Sequence, residues 1–257
     1  MARKRGKSKA FWRFSIAGMV AGVFGLFALI AFNMPPETDV QTACRIDGQD
    51  AAHTILLIDQ SDPFSKNDFG WVEKFVDEEA RSLPKYGRLT VVTPSVRDPY
   101  APAQVFSRCS TGSAEAANPI LENPRMIEDN WRSAFREPLG HAIKTVLEED
   151  TAPSSPLAEA LYAIFDRADF QSGVDHRRVV IVSDLMQNSK SFSMYKAGAD
   201  FEKFRTTPLG PQIRDVGGVE VVARIVPRTD YPLPLSDLKD FWRIYFTEAN
   251  ARFSSVN

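Results

Sequence analysis

Three kinds of residue are scarce in this 257-residue chain. Two cysteines and three histidines (His53, His141, His176) are too few and too scattered for a Cys/His zinc site. With 14 glycines and 17 prolines, the collagenous and low-complexity classes are excluded as well. Basic residues are short in the main body. Six of the 31 (Arg3, Lys4, Arg5, Lys7, Lys9, Arg13) sit at the N-terminus, leaving 25 against 33 acidic residues, all beyond residue 36, a net charge of −8. A nucleic-acid surface needs clustered Lys and Arg to displace phosphate counterions, so that class is excluded too. The rest is ordinary globular composition, 44% hydrophobic and 25% charged, enough for a sizeable core in one large domain or two small ones.

Charge is also missing from Phe14 to Phe32 (FSIAGMVAGVFGLFALIAF). About 20 apolar helical residues span a bilayer core, so residues 14–32 read as one transmembrane helix behind a basic head over residues 1–13. The head precedes the span and acidic Glu37 and Asp39 follow it, which places the N-terminus in the cytoplasm and the remainder outside, an extracytoplasmic (periplasmic) main domain on a single-pass anchor. The rival is a cleaved signal peptide, but its apolar region is shorter and ends in an A-x-A-like site, whereas this one runs into Asn33-Met34-Pro35-Pro36. A lipoprotein reading of Cys44 is weaker, because Gln41 stands where an aliphatic residue is wanted. Gly18/Gly22 and Ala17/Ala21/Gly25 give the small-xxx-small spacing that permits helix-mediated self-association, a spacing common in membrane spans by composition alone.

Residues 33–52 read as a polar linker and residues 53–257 as the folded domain. Short continuous apolar runs at 53–59, 88–93 and 178–184 have the look of parallel strands buried on both faces; 219–226 is a fourth, and 103–107 a short edge strand. Between them lie helical periodicities: Phe69, Val72, Phe75, Val76 and Ala80; then Trp131, Phe135, Leu139, Ile143 and Leu147; then Leu157, Ala160, Leu161, Ile164 and Phe165. Pro138 should start a new helix or kink one. A last helix over about 235–251 has its candidate N-cap at Ser236. The alternation implies an α/β three-layer sandwich around a mainly parallel, doubly wound sheet.

In such a sheet, ligands bind beyond the carboxyl ends of the strands, where strand order reverses. Three polar segments are candidates: Asp59-Gln60-Ser61-Asp62-Pro63-Phe64-Ser65 after the first strand, Thr151 to Pro156 ahead of a helix, and Asp184 after a later strand. Carboxylates and hydroxyls from three loops make an all-oxygen site, suited to a hard divalent cation.

Here the chain resembles a von Willebrand factor A-type domain, whose metal-dependent adhesion site uses a D-x-S-x-S loop after the first strand, a Thr ahead of a helix and an Asp after the fourth strand. The resemblance spans roughly Thr54 to Arg252. It places Asp59 and Ser61 on the first motif, Ser155 where the family usually has Thr, and Asp184 on the third. Asp62 and Ser65 are auxiliary candidates, because Pro63 replaces the second Ser. The implied cation is Mg²⁺, with Mn²⁺ or Ca²⁺ as alternatives, and the implied partner is a protein presenting an acidic residue that completes its coordination, within a bacterial envelope assembly. The family's last strand has no evident counterpart, since the chain stops soon after the final helix. In this architecture the edge strand runs antiparallel and brings Cys109 toward the rim where Cys44 lies, which predicts a Cys44–Cys109 disulfide in an oxidising compartment, against two unpaired cysteines. The plain alternative for the site is that Asp59 and Asp184 only cap loops and helices at strand ends, leaving a scaffold with a degenerate metal site.

Enzyme signatures are missing. No G-x-S-x-G elbow exists. Asp59-Gln60-Ser61 lacks the second carboxylate of a D-x-D phosphatase loop. Gly6-Lys7-Ser8 has no P-loop glycine before it and follows no strand. The expectation is a non-enzymatic interaction module, with a divergent membrane-tethered metal-dependent hydrolase using Asp59 and Asp184 as the alternative.

Overall fold

The structure, a computed structural model, describes residues 9–32, 34–61, 63–117, 122–149, 151–171, 173–174, 176–226, 228 and 231–256. Residues 1–8 of the basic head and the auxiliary candidate Asp62 lie outside them. Two compact units result, 1–37 and 38–257.

In the first unit, α1 (Lys9–Phe32) is one continuous helix, and its described side chains, from Trp12 to Phe27, are all exposed. Among the described residues no helix is long and apolar enough to cross a membrane.

The second unit holds a six-stranded sheet: β1 (His53–Ile58), β2 (Arg88–Thr93), β3 (Ala103–Cys109), β4 (Arg177–Ser183), β5 (Glu220–Ile225) and β6 (Arg252–Val256). Its order is β3-β2-β1-β4-β5-β6, all parallel except antiparallel β3 at one edge. Strand order reverses between β1 and β4, so the crevice at their carboxyl ends is the topological switch point.

Side-chain alternation divides the core in two. Ile55 and Leu57 of β1, Val179 and Ile181 of β4, and Val221, Ala223 and Ile225 of β5 face a layer containing α5 (Leu157–Phe165), α6 (Met194–Ala197), α7 (Phe201–Arg205) and α8 (Leu235–Glu248). Leu56, Ile58, Val180 and Val182 face the opposite layer of α2 (Lys66–Ser82), α3 (Pro124–Trp131) and α4 (Glu137–Glu148). Both faces of β1 and β4 are therefore apolar, which is why these strands read as unbroken hydrophobic runs. Each such side chain, removed from water, contributes about 1.5–3 kcal/mol. The sandwich of a mainly parallel sheet between helical layers fits the architecture implied by the von Willebrand factor A resemblance.

Two local expectations change. The strand that seemed missing is present: β6 pairs parallel with β5, from Glu220↔Arg252 to Arg224↔Val256. The cap of α8 is Pro234 and not Ser236, whose hydroxyl donates to Asp237 Oδ1 at 3.1 Å. Pro138 does stand at the start of a new helix, as expected. It occupies the first turn of α4, where a missing N–H leaves no helical bond unmade, and a π-helical turn at Arg132–Arg136 joins α3 to α4. Trp131 and Phe135 stay buried through this turn.

Candidate functional site

Parallel pairing of β1 with β4 sets His53↔Arg177 through Ile58↔Val182, and the Asp59 amide continues it by donating to Val182 O at 2.9 Å. One step further, Ser183 stands beside Asp59. Its Oγ donates to Asp59 Oδ2 at 2.8 Å. Ser61 Oγ and Ser155 Oγ donate to the same Oδ2 at 3.1 and 2.7 Å, and the Ser61 amide donates to Oδ1 at 3.1 Å. Three hydroxyls from three segments thus converge on one carboxylate oxygen. Asp59, Ser155 and Ser183 are almost fully buried and Ser61 is partly so.

Local geometry fixes each donor. Ser61 is held by a turn in which Asp59 accepts its amide. Ser155 sits just ahead of α5 and exchanges two backbone hydrogen bonds with Asn188, at 2.9 and 2.8 Å. That bridge clips the α5 entry to the segment after β4. Gln187, fully buried, tightens it: its Oε1 accepts from the Ala158 amide at 2.8 Å, and its Nε2 donates to Glu159 Oε2 at 3.0 Å. After β4, Ser183 Oγ accepts the Leu185 amide at 2.9 Å and Asp184 Oδ1 the Met186 amide at 2.9 Å, with Leu185 in the left-handed region at φ 69°. Trp242 Nε1 of α8 donates to Leu185 O at 2.9 Å and holds that turn against the aromatic core.

The electrostatics at Asp59 are unusual for a carboxylate this deep. Burial pushes its pKa above the ordinary value, against the opposing pull of the hydroxyls of Ser155, Ser183 and Ser61. None of its hydrogen-bond partners among the described residues is basic. Hydroxyl donors satisfy its lone pairs but not its charge.

A concave surface opens over the site, a cavity of about 290 Å³ whose wall includes Ser61, Ser154, Ser155, Asn188 and Tyr195. Of the sequence-predicted residues, the structure brings Asp59, Ser61 and Ser155 together. Asp184 follows Ser183 and is buried, with its Oδ1 accepting the Met186 amide at 2.9 Å, and the residues lining the cavity do not include it. Ser65 is spent elsewhere: it is the N-cap of α2 in a capping box with Asp68, whose amide donates to Ser65 Oγ at 3.3 Å while Asp68 Oδ2 accepts the Ser65 amide at 2.7 Å.

Ser183 and Gln187 were not singled out by sequence. Period-2 alternation along β4 carried the signal for Ser183, because Val179, Ile181 and Ser183 share the face that also carries Ile55, Leu57 and Asp59 on β1. Gln187 lies in irregular backbone and left no pattern to read.

The other candidate ligand cluster lies elsewhere. Cys44, Asp50 and Cys109 are close enough to share an ion, but Cys44 and Cys109 are joined as a disulfide, S–S 2.06 Å, which occupies both sulfurs.

Fold and site together define an α/β sandwich with a buried carboxylate–hydroxyl cluster under a shallow cavity at its switch point. No protein-family model matches the chain and no curated protein does. Among solved structures, the chain is similar to the pilus adhesin SpaC from Lactobacillus rhamnosus GG in its open conformation, with TM-score 0.45 and 8% identity over 80% of this chain and 28% of that one. It therefore spans under a third of the adhesin's length. It is also similar to the conserved hypothetical protein BatB from Bacteroides thetaiotaomicron, with TM-score 0.39 and 11% identity over 80% of this chain and 90% of that one. At such values neither likeness carries a conclusion about this chain.

Proposed function

We propose that the chain is a membrane-anchored, extracytoplasmic protein-interaction module of von Willebrand factor A type that binds a divalent cation at Asp59, Ser61 and Ser155, and through it an acidic group on a partner of the bacterial envelope. The observation that carries this reading is the convergence of three hydroxyl donors, and no basic group among the described residues, on Asp59 Oδ2. A hydroxyl that donates its proton to Asp59 keeps its oxygen lone pairs, and those of Ser61 and Ser155 are on the cavity wall. An all-oxygen donor set beside an uncompensated carboxylate suits Mg²⁺ in preference to softer metals. The cation would supply positive charge to the buried site and an open position for a partner carboxylate. Ser183 would act as a positioning residue that holds Asp59 from behind.

The non-enzymatic part of the reading rests on what surrounds the hydroxyls. All three hydroxyls are held by one buried carboxylate that they share, and the histidines lie on other elements: His53 opens β1 at the opposite end of the sheet, His141 is on α4 and His176 precedes β4. The anchor rests on the uncharged run over 14–32 and the basic head before it.

Calorimetric titration with Mg²⁺ and Mn²⁺ tests the site, wild type against Asp59→Ala. Saturable heat in the wild type only is expected. Its absence, alongside an Asp59→Ala protein that keeps partner binding, would leave a metal-free scaffold. A phosphatase and esterase screen with and without Mg²⁺ tests the hydrolase alternative, and turnover there would replace the binding role. A reporter active only in cytoplasm, fused after Asn257, should stay silent.

A further inference from the structure

A second concave surface lies on the flank of the sandwich, between α2 and α4, with a volume of about 260 Å³. Its floor is apolar, formed by Val76, Leu139 and Ile143. Gly140 completes it. Gly140 is on the exposed side of α4, and a Cβ there would meet nothing within 4 Å, so this part of the lining is open. The rim is acidic: Glu73, Asp77 and Glu137 against a single cation, Arg136. Asp77 is already paired with Arg81 at 3.3 Å and with Arg136, whereas Glu73 and Glu137 have no ion pair among the described residues. Both are exposed.

We propose that this slot is a docking site for a lysine or arginine side chain of a partner protein, independent of the cation site at the end of the sheet. The chemistry is that of an amphipathic side chain: three or four methylenes lie on an apolar floor while the charged head reaches solvent-exposed carboxylates. The floor of Val76, Leu139 and Ile143 matches the stem, and unpaired Glu73 and Glu137 match the head. Arg136 on Asp77 shows the same rim already accepting a guanidinium from within the chain. An aliphatic or aromatic partner residue would fill the slot but leave both carboxylates uncompensated, and an acidic one would be repelled. Charge complementarity therefore selects the basic side chain.

The test uses side-chain mimics on the folded protein: butylguanidinium and butylammonium as probes, with butyrate and butanol as controls, followed by chemical-shift changes of backbone amides. Saturable changes confined to α2 and α4 are expected with the two cations and not with the controls. Gly140→Leu should abolish them by filling the slot, whereas Gly140→Ala should keep them, because its methyl enters open space. Should Gly140→Leu fold poorly, Glu73→Gln with Glu137→Gln should weaken the response about ten-fold, as two surface ion pairs would. Equal response to butanol, cation response spread over the whole surface, or response retained in the double Gln variant would each overturn the proposal.

Discussion

At the N-terminal rim of the sheet, Asp50 meets Arg88 at 2.6 Å and Asp169 meets Arg167 at 2.8 Å; at the C-terminal rim, Asp59 meets hydroxyls and an amide. The same residue type is handled in opposite ways within one sheet. Below, burial works to raise Asp169, but the guanidinium of Arg167, with His53 and Arg88, holds it under the usual carboxylate range. Above, burial raises Asp59 and no cationic side chain opposes it. A carboxylate paired with a guanidinium has its charge balanced within the chain; one buried among hydroxyls does not, and a proton or a bound cation would balance it. The lower rim thus neutralises its carboxylates within the chain, whereas the upper rim leaves Asp59 to hydroxyls, and the proposed cation site rests on that contrast.

The comparison breaks most easily at the lower rim, where covalent and polar devices coincide. Cys44 and Cys109 close a loop with sequence separation 65, and the Cys109 amide donates to Thr42 O at 2.8 Å, tying the segment before the domain to β3. Replacing both cysteines with serine should lower unfolding stability by about 4 kcal/mol on the chain-entropy model. Urea unfolding of the domain, oxidised against the double variant, reads this directly. Cation affinity at the upper rim should be unchanged, and a matching loss there would show that the two rims are not separate.

The next effect comes from His53, which is fully buried at the start of β1. Its Nδ1 faces the Asp169 carbonyl at 2.9 Å, so Nδ1 carries the proton, and Nε2 accepts from Thr90 Oγ1 at 2.9 Å. Burial lowers its pKa from 6.5 to about 4. In this window the unfolded chain takes up the proton and the folded one refuses it, so stability is intact above pH 6.5 and falls as the pH drops toward 4. The full loss is about 3 kcal/mol. Unfolding measured at pH 7 and pH 4.5 should show this slope, and His53→Gln should flatten it. An unchanged slope in the variant would assign the acid sensitivity to other groups.

At the upper rim the sign reverses. A carboxylate with a raised pKa favours folding below its unfolded value, and that contribution is lost as the pH rises through the folded one, so at neutral pH the Asp59 charge opposes the fold. Asp59→Asn should therefore stabilise the domain in chelator, by about 1 kcal/mol, the ordinary size of a single-site effect. The wild type should gain stability on adding Mg²⁺ and the variant should not. Thermal melts in chelator and in Mg²⁺ give all four values. A destabilised variant in chelator would mean that Asp59 is satisfied as it stands, and the contrast between the rims would collapse.

How much of this was legible in the sequence depended on whether a residue's surroundings leave a pattern. β1, β2 and β4 were readable because they are buried on both faces, and their boundaries fell within a residue of the structure. β6, Arg252–Val256, was not: it is an edge strand whose alternating residues are exposed, so Arg252-Phe253-Ser254-Ser255-Val256 carries almost no hydrophobic signal. The site divided the same way. Asp59, Ser61 and Ser155 stand at loop positions that the motif spacing marks, and they meet at Oδ2 of Asp59. Ser183 was missed because the register ends on Ile58↔Val182, and only the next step beyond it brings Ser183 Oγ to Asp59 Oδ2. Register comes from the packing of both faces of β1 and β4, which no local stretch contains.

The smallest expected effect sharpens the contrast by repairing the upper rim. Pro63 stands where the resemblance places a second serine hydroxyl; it is exposed, and its carbonyl accepts from Arg228 Nη1 at 3.1 Å. A backbone carbonyl survives substitution, so Pro63→Ser can keep that contact while adding a hydroxyl to the loop that carries Asp59 and Ser61. Losing the proline frees the unfolded chain and should lower stability by about 0.5 kcal/mol. A new oxygen ligand replacing a water should tighten Mg²⁺ by about ten-fold, or 1.4 kcal/mol, because near-octahedral coordination rewards each fixed oxygen. Titration of Pro63→Ser against wild type reads the gain. If affinity stays the same while stability falls, the cation is held without this stretch of the loop, and coordination rests on Asp59, Ser61 and Ser155 with water alone.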